Sequence, residues 1–224
     1  MKYVITGSSS GLGFALAKQL VAHGDVIGVS RRKHDLGNSR LPYDFKFIKA
    51  DLSKNSSVIK NSQFISKLKS SINVEEFTLI INAGVFYSNS KRLNSSDREK
   101  LFNVNLFSVM EIVEQLKNLN LKRILFINSI SGIVGQAEQH EYVASKHALM
   151  GYVRSLIKEG PSKPYDVISI NPGGIDTELW ADYPNVNTQA FLKVDELARL
   201  IVNLVLIEQR VFIPSLVILP EGDL

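Results

Sequence analysis

Tyr142 and Lys146 stand four positions apart in Tyr-Val-Ala-Ser-Lys, and Ser129 lies thirteen positions before the tyrosine in Ile-Asn-Ser-Ile-Ser-Gly. On a helix, positions i and i+4 share a face. An ammonium can then sit beneath a phenol and favour its ionised form through proximity of opposite charge. A tyrosine placed in this way exchanges a proton near neutral pH, which is what a reaction that forms or consumes an alkoxide requires. Alone, the pair is ambiguous, because most tyrosines and lysines at this spacing are ordinary surface or packing residues. The elements around it decide.

Those elements begin at residue 1. Residues 2–6 read as a short buried strand that runs into Thr6-Gly7-Ser8-Ser9-Ser10-Gly11-Leu12-Gly13 and then into an apolar-periodic helix. A glycine turn between a strand and a helix lets backbone approach a pyrophosphate and aims the unpaired N–H groups of the helix N-terminus at its charge. The spacing differs from Gly-x-Gly-x-x-Gly, and a serine-glycine run elsewhere would be a plain loop. Further candidate strands are 26–30, 45–49, 78–82, 123–128, 166–171 and 211–218. Helical patterns near 13–22, 58–70, 97–118, 142–158 and 194–207 lie among the strands, and the polar stretches 53–57 and 89–96 read as loops. Such alternation implies right-handed crossovers and a doubly wound parallel sheet of about seven strands, covered by helices on both faces. The fold class is α/β.

At this point the chain resembles the short-chain dehydrogenase/reductase family. The resemblance rests on the Thr6 to Gly13 turn, Asp51-Leu52 after the third strand and Asn82-Ala83-Gly84 after the fourth. It continues with Asn105 in Asn-Val-Asn-Leu, Ser129, Tyr142 with Lys146, and Pro172-Gly173 followed by Thr177. These signals stand in family order from residue 1 to about 177. The resemblance implies a single NAD(P)-binding Rossmann domain over 1–224, with the substrate site integrated through a short loop at about 178–193. It also implies an oxidoreductase interconverting a carbonyl and a secondary alcohol by hydride transfer.

Role assignments follow from the resemblance. Tyr142 would donate the proton, and Lys146 would lower its pKa, bind the nicotinamide ribose and begin a proton relay whose water Asn105 holds. Ser129 would bind the substrate oxygen and stabilise developing charge; Ser131 competes for that role, but the family spacing favours Ser129. Without the family match, Asn105 would read as a structural kink, since asparagine is a poor helix former. The turn residues Thr6, Gly7, Ser9, Ser10, Gly11, Leu12 and Gly13 would hold the coenzyme phosphates. Asp51, beside Leu52, would accept from the adenine amino group, and Asn82, Ala83 and Gly84 would floor the adenosine ribose. Pro172, Gly173, Ile175 and Thr177 would wrap the nicotinamide side, with the Ile175 backbone reaching the carboxamide.

Coenzyme choice is read after the second strand, in Val29-Ser30-Arg31-Arg32. An NAD enzyme places an acid there for the ribose 2′-hydroxyl. Here Ser30 is followed by two guanidiniums, which can bind a 2′-phosphate through charge-assisted hydrogen bonds. NADP(H) is the expected coenzyme and NAD(H) the alternative.

Composition agrees. The chain has 224 residues, 45% of them hydrophobic and 21% charged, as ordinary globular proteins do. It has no apolar run of bilayer length and no leader-like start, so a cytoplasmic protein without a membrane partner is expected. Zero cysteines exclude disulfides and thiolate chemistry, and the four histidines lack metal-ligand spacing and read as surface or helix residues. The net charge of +4 comes from scattered lysines and arginines, so no nucleic-acid partner is expected. The helix at 97–118 carries one stripe with Phe102, Leu106, Val109, Val113 and Leu116, and Leu101, Ser108 and Ile112 with nearby Met110 extend the apolar surface beyond it. Together with Ala144, Ala148, Leu149, Gly151 and Val153 it predicts a homodimer. A coenzyme-binding sensor without turnover is the runner-up, and an interaction protein the third reading. The intact Ser129, Tyr142, Lys146 and Asn105 speak against the sensor, and the full phosphate turn against the interaction protein.

Overall fold

Short runs of large apolar and β-branched residues form the predicted strands, and all seven join one sheet. The computed structural model describes residues 1–34, 36, 42–88, 93–160, 163–207 and 212–221. The strands are β1 (Lys2–Thr6), β2 (Asp25–Ser30), β3 (Phe45–Lys49), β4 (Phe77–Ile81), β5 (Leu121–Ile127), β6 (Asp166–Pro172) and β7 (Ser215–Ile218). Their order is β3-β2-β1-β4-β5-β6-β7, with every neighbouring pair parallel. The α/β expectation holds, and the strand order reverses between β1 and β4.

Alternating side chains on each strand divide the core. Val4, Leu79, Ile124 and Phe126 face α3 (Gln63–Ile72), α5 (Ser108–Leu116) and α6 (His140–Lys158). Tyr3, Ile5, Ile80, Leu125 and Ile127 face α1 (Gly11–Leu20) and α7 (Val194–Leu206). Both faces of the central strands are therefore buried, which is why these strands read as continuous apolar runs rather than alternating ones. No helix among the described residues is long and apolar enough to cross a membrane.

Several boundaries differ from the sequence reading. The pattern at 58–70 is broken: α2 (Ser56–Lys60) ends at Asn61 and α3 starts after Ser62. Residues 56–57 and 95–96 belong to helices rather than loops, because Asn55 and Asn94 accept hydrogen bonds from the N–H groups of Ser57 and Asp97 as N-caps. The helix expected over 97–118 is α4 (Ser95–Phe102), a π turn (Asn103–Phe107) and α5. The last strand starts at Ser215, and residues 89–92, 211 and 222–224 lie outside the described residues. His34 is also not a surface residue; its half-buried ring packs edge-on against Phe14, Phe45 and Phe47.

The wide apolar face of 97–118 is used inside the chain. Leu101, Ser108, Val109 and Ile112 are all buried, leaving Phe107 and Met110 exposed. On α6, Leu149 and Val153 are buried while Ala144, Ala148 and Gly151 are exposed. A helix set against both the sheet and neighbouring helices needs more than one apolar stripe, so width alone did not mark an outer interface.

One buried charge ties the sheet to α7. Arg123 on β5 is 3% exposed and donates through Nη1 to the carbonyls of Leu204, Val205 and Ile207 at 2.9–3.1 Å. Its Nη2 meets Asp166 Oδ2 at 3.2 Å on β6, directly opposite in register. A cation at the carbonyl end of a helix complements the macrodipole, and a buried guanidinium needs such partners. Arg123→Ala strips both carbonyls and carboxylate at once. It should lower the unfolding free energy by about 3 kcal/mol, read from urea midpoints at constant slope. A loss below ~1 kcal/mol would mean that water substitutes fully for the guanidinium.

Candidate active site

Open α/β sheets bind ligands beyond the carboxyl ends of their strands, where the strand order reverses. Here that place holds a cleft of about 950 Å³, near the upper end of the ~300–1,000 Å³ usual for small-molecule and cofactor sites. It is lined by Gly7, Ser9, Ser10, Gly11 and Leu12 from the first turn and by Ser30, Arg31 and Arg32 after β2. Asp51, Leu52, Asn82, Ala83 and Gly84 follow, then Ser129, Tyr142 and Lys146, and finally Pro172, Gly173, Ile175 and Thr177. Twenty of the residues singled out in the sequence thus meet in one cavity. Thr6, Gly13 and Asn105 do not line it and lie behind its wall.

All three make close contacts within the chain. The Thr6 hydroxyl accepts from the N–H groups of Asn82 and Ala83 at 3.0 and 3.1 Å, and Asn82 Nδ2 donates back to the carbonyls of Thr6 and Gly7. Gly13 packs beneath this clasp. A Cβ there would lie 2.3 Å from the Gly7 carbonyl oxygen and 2.4 Å from Asn82 Nδ2, so only glycine lets α1 start so close to β4. Asn105 sits in the π turn, where the Ser108 N–H reaches back five residues to the Asn103 carbonyl. Its Oδ1 accepts from the Val85 N–H at 2.9 Å, and its Nδ2 donates to the Val85 carbonyl and to Ser145 Oγ. The side chain braces the loop after β4 against α6.

The geometry brings Ser129, Tyr142 and Lys146 together. Ser129 opens a short helical turn, with its Oγ accepting from the Ser131 N–H, and hydrogen bonds to Tyr142. Ser131 also lines the cavity, but it is Ser129 that meets the phenol. Lys146 Nζ stands 5.7 Å from the centre of the Tyr142 ring and donates to the Asn128 carbonyl at 3.3 Å. Burial dominates the titration of both. It pushes Tyr142 up to about 12, with the Ser129 hydrogen bond opposing, and pulls Lys146 down to about 8. The expected depression of the phenol by its lysine is not produced by these two side chains. Desolvation penalises both charged forms more than the pair rewards them.

The other end of the cleft is basic. Arg32 Nη2 reaches Ser10 Oγ at 3.4 Å and lies 4.0 Å from Glu178, while Ser30 Oγ donates to the Arg32 carbonyl and shapes the turn. Asp51 is pushed up by partial burial, but hydrogen bonds from Ser53 and the charges of Lys54 and Arg31 hold it below its ordinary value. The carboxylate is ionised and its Oδ1 already accepts from the Ser53 N–H and hydroxyl. Thr177 lies over Gly11, so the loop after β6 faces the phosphate-type turn. Among the described residues no three His, Asp or Glu side chains are grouped to hold a metal ion.

Sequence reasoning missed a second wall. Phe86, Tyr87, Gln136 and Gln139 line the cavity beside Trp180 and Tyr183. Phe86-Tyr87 stands one residue beyond Asn82-Ala83-Gly84, and that nearness was the signal available for the pair.

A doubly wound parallel sheet with its cleft at the point of strand reversal defines a dinucleotide-binding α/β protein. The comparisons make it specific. The profile of the family described as short chain dehydrogenase matches residues 2–187. The 3-oxoacyl-(acyl-carrier-protein) reductase FabG of Buchnera aphidicola is 32% identical over 202 residues, covering 84% of this chain and 79% of that protein. Among solved structures, an alcohol dehydrogenase from Thermococcus sibiricus complexed with 5-hydroxy-NADP superposes with a TM-score of 0.83 at 23% identity, covering 97% and 95% of the two chains. A 4-hydroxyisoleucine dehydrogenase complexed with NADH does so with a TM-score of 0.80 at 26% identity, covering 99% and 97%. The chain belongs to the short-chain dehydrogenase/reductase family, whose members are NAD(P)-dependent oxidoreductases.

Linkage gives the buried lysine a measurable sign. Between about pH 8 and its ordinary 10.5, unfolded Lys146 binds a proton that the folded chain does not. Unfolding free energy should therefore rise with pH across that window, with a slope approaching about 1.4 kcal/mol per pH unit. Tyr142, raised from 10.0 to about 12, reverses the trend only above pH 10. Lys146→Met keeps the apolar stem and removes the titration, so urea unfolding from pH 8 to 10 should give a flatter slope for the variant. Equal slopes would show that Lys146 stays fully charged in the fold.

Proposed function

We propose that this protein is an NADP(H)-dependent oxidoreductase that interconverts a carbonyl and a secondary alcohol at Ser129, Tyr142 and Lys146. Residues 1–224 form one Rossmann domain whose substrate site is completed by the loop at about 178–193. The single observation that carries the reading is the gathering of these three side chains in the cleft that the glycine turn also lines. Reduced nicotinamide, when bound, supplies the hydride to the carbonyl carbon. The carbonyl π electrons move onto oxygen, and the Tyr142 phenol gives that oxygen its proton. Ser129 donates a hydrogen bond to the same oxygen as charge develops, and Lys146 restores the phenol's proton. Burial keeps the phenol in its protonated form, the form needed to donate in the reduction. Asn105 acts as a positioning residue through Val85 and Ser145.

Coenzyme selection rests on the basic corner. Arg31 beside Asp51 and Arg32 beside Ser10 flank the place where the adenosine ribose would lie, and no carboxylate of that turn opposes a 2′-phosphate. The residues suit the group: a glycine turn free of bulky side chains for the diphosphate, two exposed guanidiniums for the 2′-phosphate and an ionised Asp51 near the adenine. The sensor reading loses nothing in coenzyme binding but has no use for a phenol, serine and lysine gathered in one cleft.

Calorimetric titration and NADPH oxidation over a panel of carbonyl compounds test both halves. NADPH should bind about tenfold tighter than NADH, equivalent to about 1.4 kcal/mol, and Arg31→Ala or Arg32→Ala should erase most of that difference. Tyr142→Phe should bind NADPH normally yet lose turnover by at least ~10². Equal affinity for the two coenzymes would overturn the selection, and a fully active Phe variant would overturn the role of Tyr142.

The oligomer is also proposed as a homodimer, on a face smaller than the sequence pattern implied. Phe107 and Met110 are exposed on the π turn and α5, and Ala144, Ala148 and Gly151 form a smooth exposed stripe on α6, onto which that turn packs. Light scattering should give about twice the 25.0 kDa chain mass. Met110→Arg combined with Ala148→Arg should give one chain mass, and a monomeric wild type would end the idea.

A further inference from the structure

We propose that the substrate end of the cleft is built for a neutral carbonyl compound bearing an aromatic ring, held by a fixed aromatic wall beside Tyr142. The proposal rests on the reductase reading above and names the substrate class of that site. Phe86 is the hub of the wall. Its ring centre lies 4.9 Å from Tyr142, 5.1 Å from Trp180 and 5.1 Å from Tyr183, at interplanar angles of 80°, 52° and 66°. Trp180 packs in turn on Phe191 at 5.3 Å. Aromatic rings prefer such tilted and edge-on contacts, and a substrate ring can extend the array in the same geometry where a saturated ring cannot.

The wall is braced before any ligand arrives. Trp180 Nε1 donates to the Ile175 carbonyl at 2.9 Å. The Tyr183 hydroxyl accepts from the Ser88 N–H at 3.3 Å and donates to the Phe86 carbonyl at 3.5 Å, joining the loop after β6 to the loop after β4. Phe191 lies on Gly174, where a Cβ would fall 2.7 Å from its ring, so the glycine makes room for the aromatic layer. Rings already held in place lose little freedom on binding, which converts contact into affinity.

Charge argues against an anionic substrate. Recognition of a carboxylate or phosphate calls for a cationic fork or clamp. Beyond the coenzyme corner the lining offers Lys100, whose ammonium lies 5.7 Å from the Tyr87 ring, and Asp182 of opposite sign. Lys146 is engaged with the Asn128 carbonyl. The remaining polar groups there include the uncharged amides of Gln136 and Gln139.

Two ketones isolate the aromatic contribution: 1-phenylpropan-2-one and 1-cyclohexylpropan-2-one share a skeleton and an unconjugated carbonyl. Pyruvate and an acetoacetyl thioester supply the anionic and flexible acyl comparisons. Calorimetry in the presence of NADP⁺ reads binding apart from turnover. Because Trp180 is the one tryptophan of the chain, quenching of its fluorescence reports that the ligand sits at this wall. The phenyl ketone should bind at least ~10-fold tighter than the other three, equivalent to roughly 1.4 kcal/mol, and quench Trp180. Trp180→Phe should keep the preference and Trp180→Leu lose it, with Tyr183→Leu as a second ring deletion should the first fail to fold. Equal affinity for the two ketones, tighter binding of pyruvate or thioester, or a preference that survives both leucine variants overturns the proposal. Phenyl selectivity without NADPH oxidation upholds the wall and removes the reductase reading. Oxidation of NADPH by both ketones alike does the reverse.

Discussion

The structure hangs on the clasp between the ends of β1 and β4. Thr6 accepts two N–H groups with one hydroxyl, and the Asn82 amide returns two hydrogen bonds to the β1 end. The clasp closes the sheet where its order reverses, and further polar contacts lead from it to the reaction centre. Asn105 bonds to Val85, two residues past Ala83, and also to Ser145, whose hydroxyl bonds the Tyr142 carbonyl at 2.7 Å. The position of the phenol relative to the glycine turn is thus set by short-range contacts rather than by the general packing of a helix on a sheet. Each such bond contributes only about 1 kcal/mol net. Their value is geometric, because a buried polar chain tolerates few alternative arrangements.

A second polar ladder holds the lysine. Lys146 bonds to the Asn128 carbonyl, Asn128 Nδ2 approaches Asn171 Oδ1 at 3.4 Å, and Asn171 bonds Ser215 Oγ and the Leu216 carbonyl. This links α6 through β5 and β6 to β7. The same burial that fixes the lysine weakens its charge, and the same burial that fixes the tyrosine holds its proton. Two disfavoured ionisations thus accompany two fixed positions.

Much of this was legible in the sequence because period and punctuation carry it. Strands of four to seven residues showed as apolar runs, with β3 alternating apolar residues and lysines, and the glycine turn after Thr6 marked the first wall of the cleft. The π turn was not legible, since a hydrogen bond reaching five residues back is a choice of backbone rather than of composition; the only hint was Asn105 in a helical run. Thr6, Gly13 and Asn105 were found by motif, but motif order does not say which side of a wall a residue takes. Neither could it show that Ile112 and Val109 are consumed by the sheet and neighbouring helices. The aromatic hub at Phe86 depends on contacts with Tyr142, Trp180 and Tyr183, all distant in sequence, and its nearness to Asn82-Ala83-Gly84 says nothing of those partners.

The loop that carries Trp180 and Tyr183 follows β6 and is pinched together between Ile175 and Leu192. There a parallel bridge joins Ile175 to Leu192, the Leu192 N–H bonds the Gly174 carbonyl, and the Asp176 N–H bonds the Leu192 carbonyl. Lys193 adds an ion pair to Asp176 at 3.0 Å. A segment stapled at its neck in this way is an exchangeable cassette. Because the staple lies outside the sheet strands, a change of length or sequence inside the loop need not disturb the sheet that carries it.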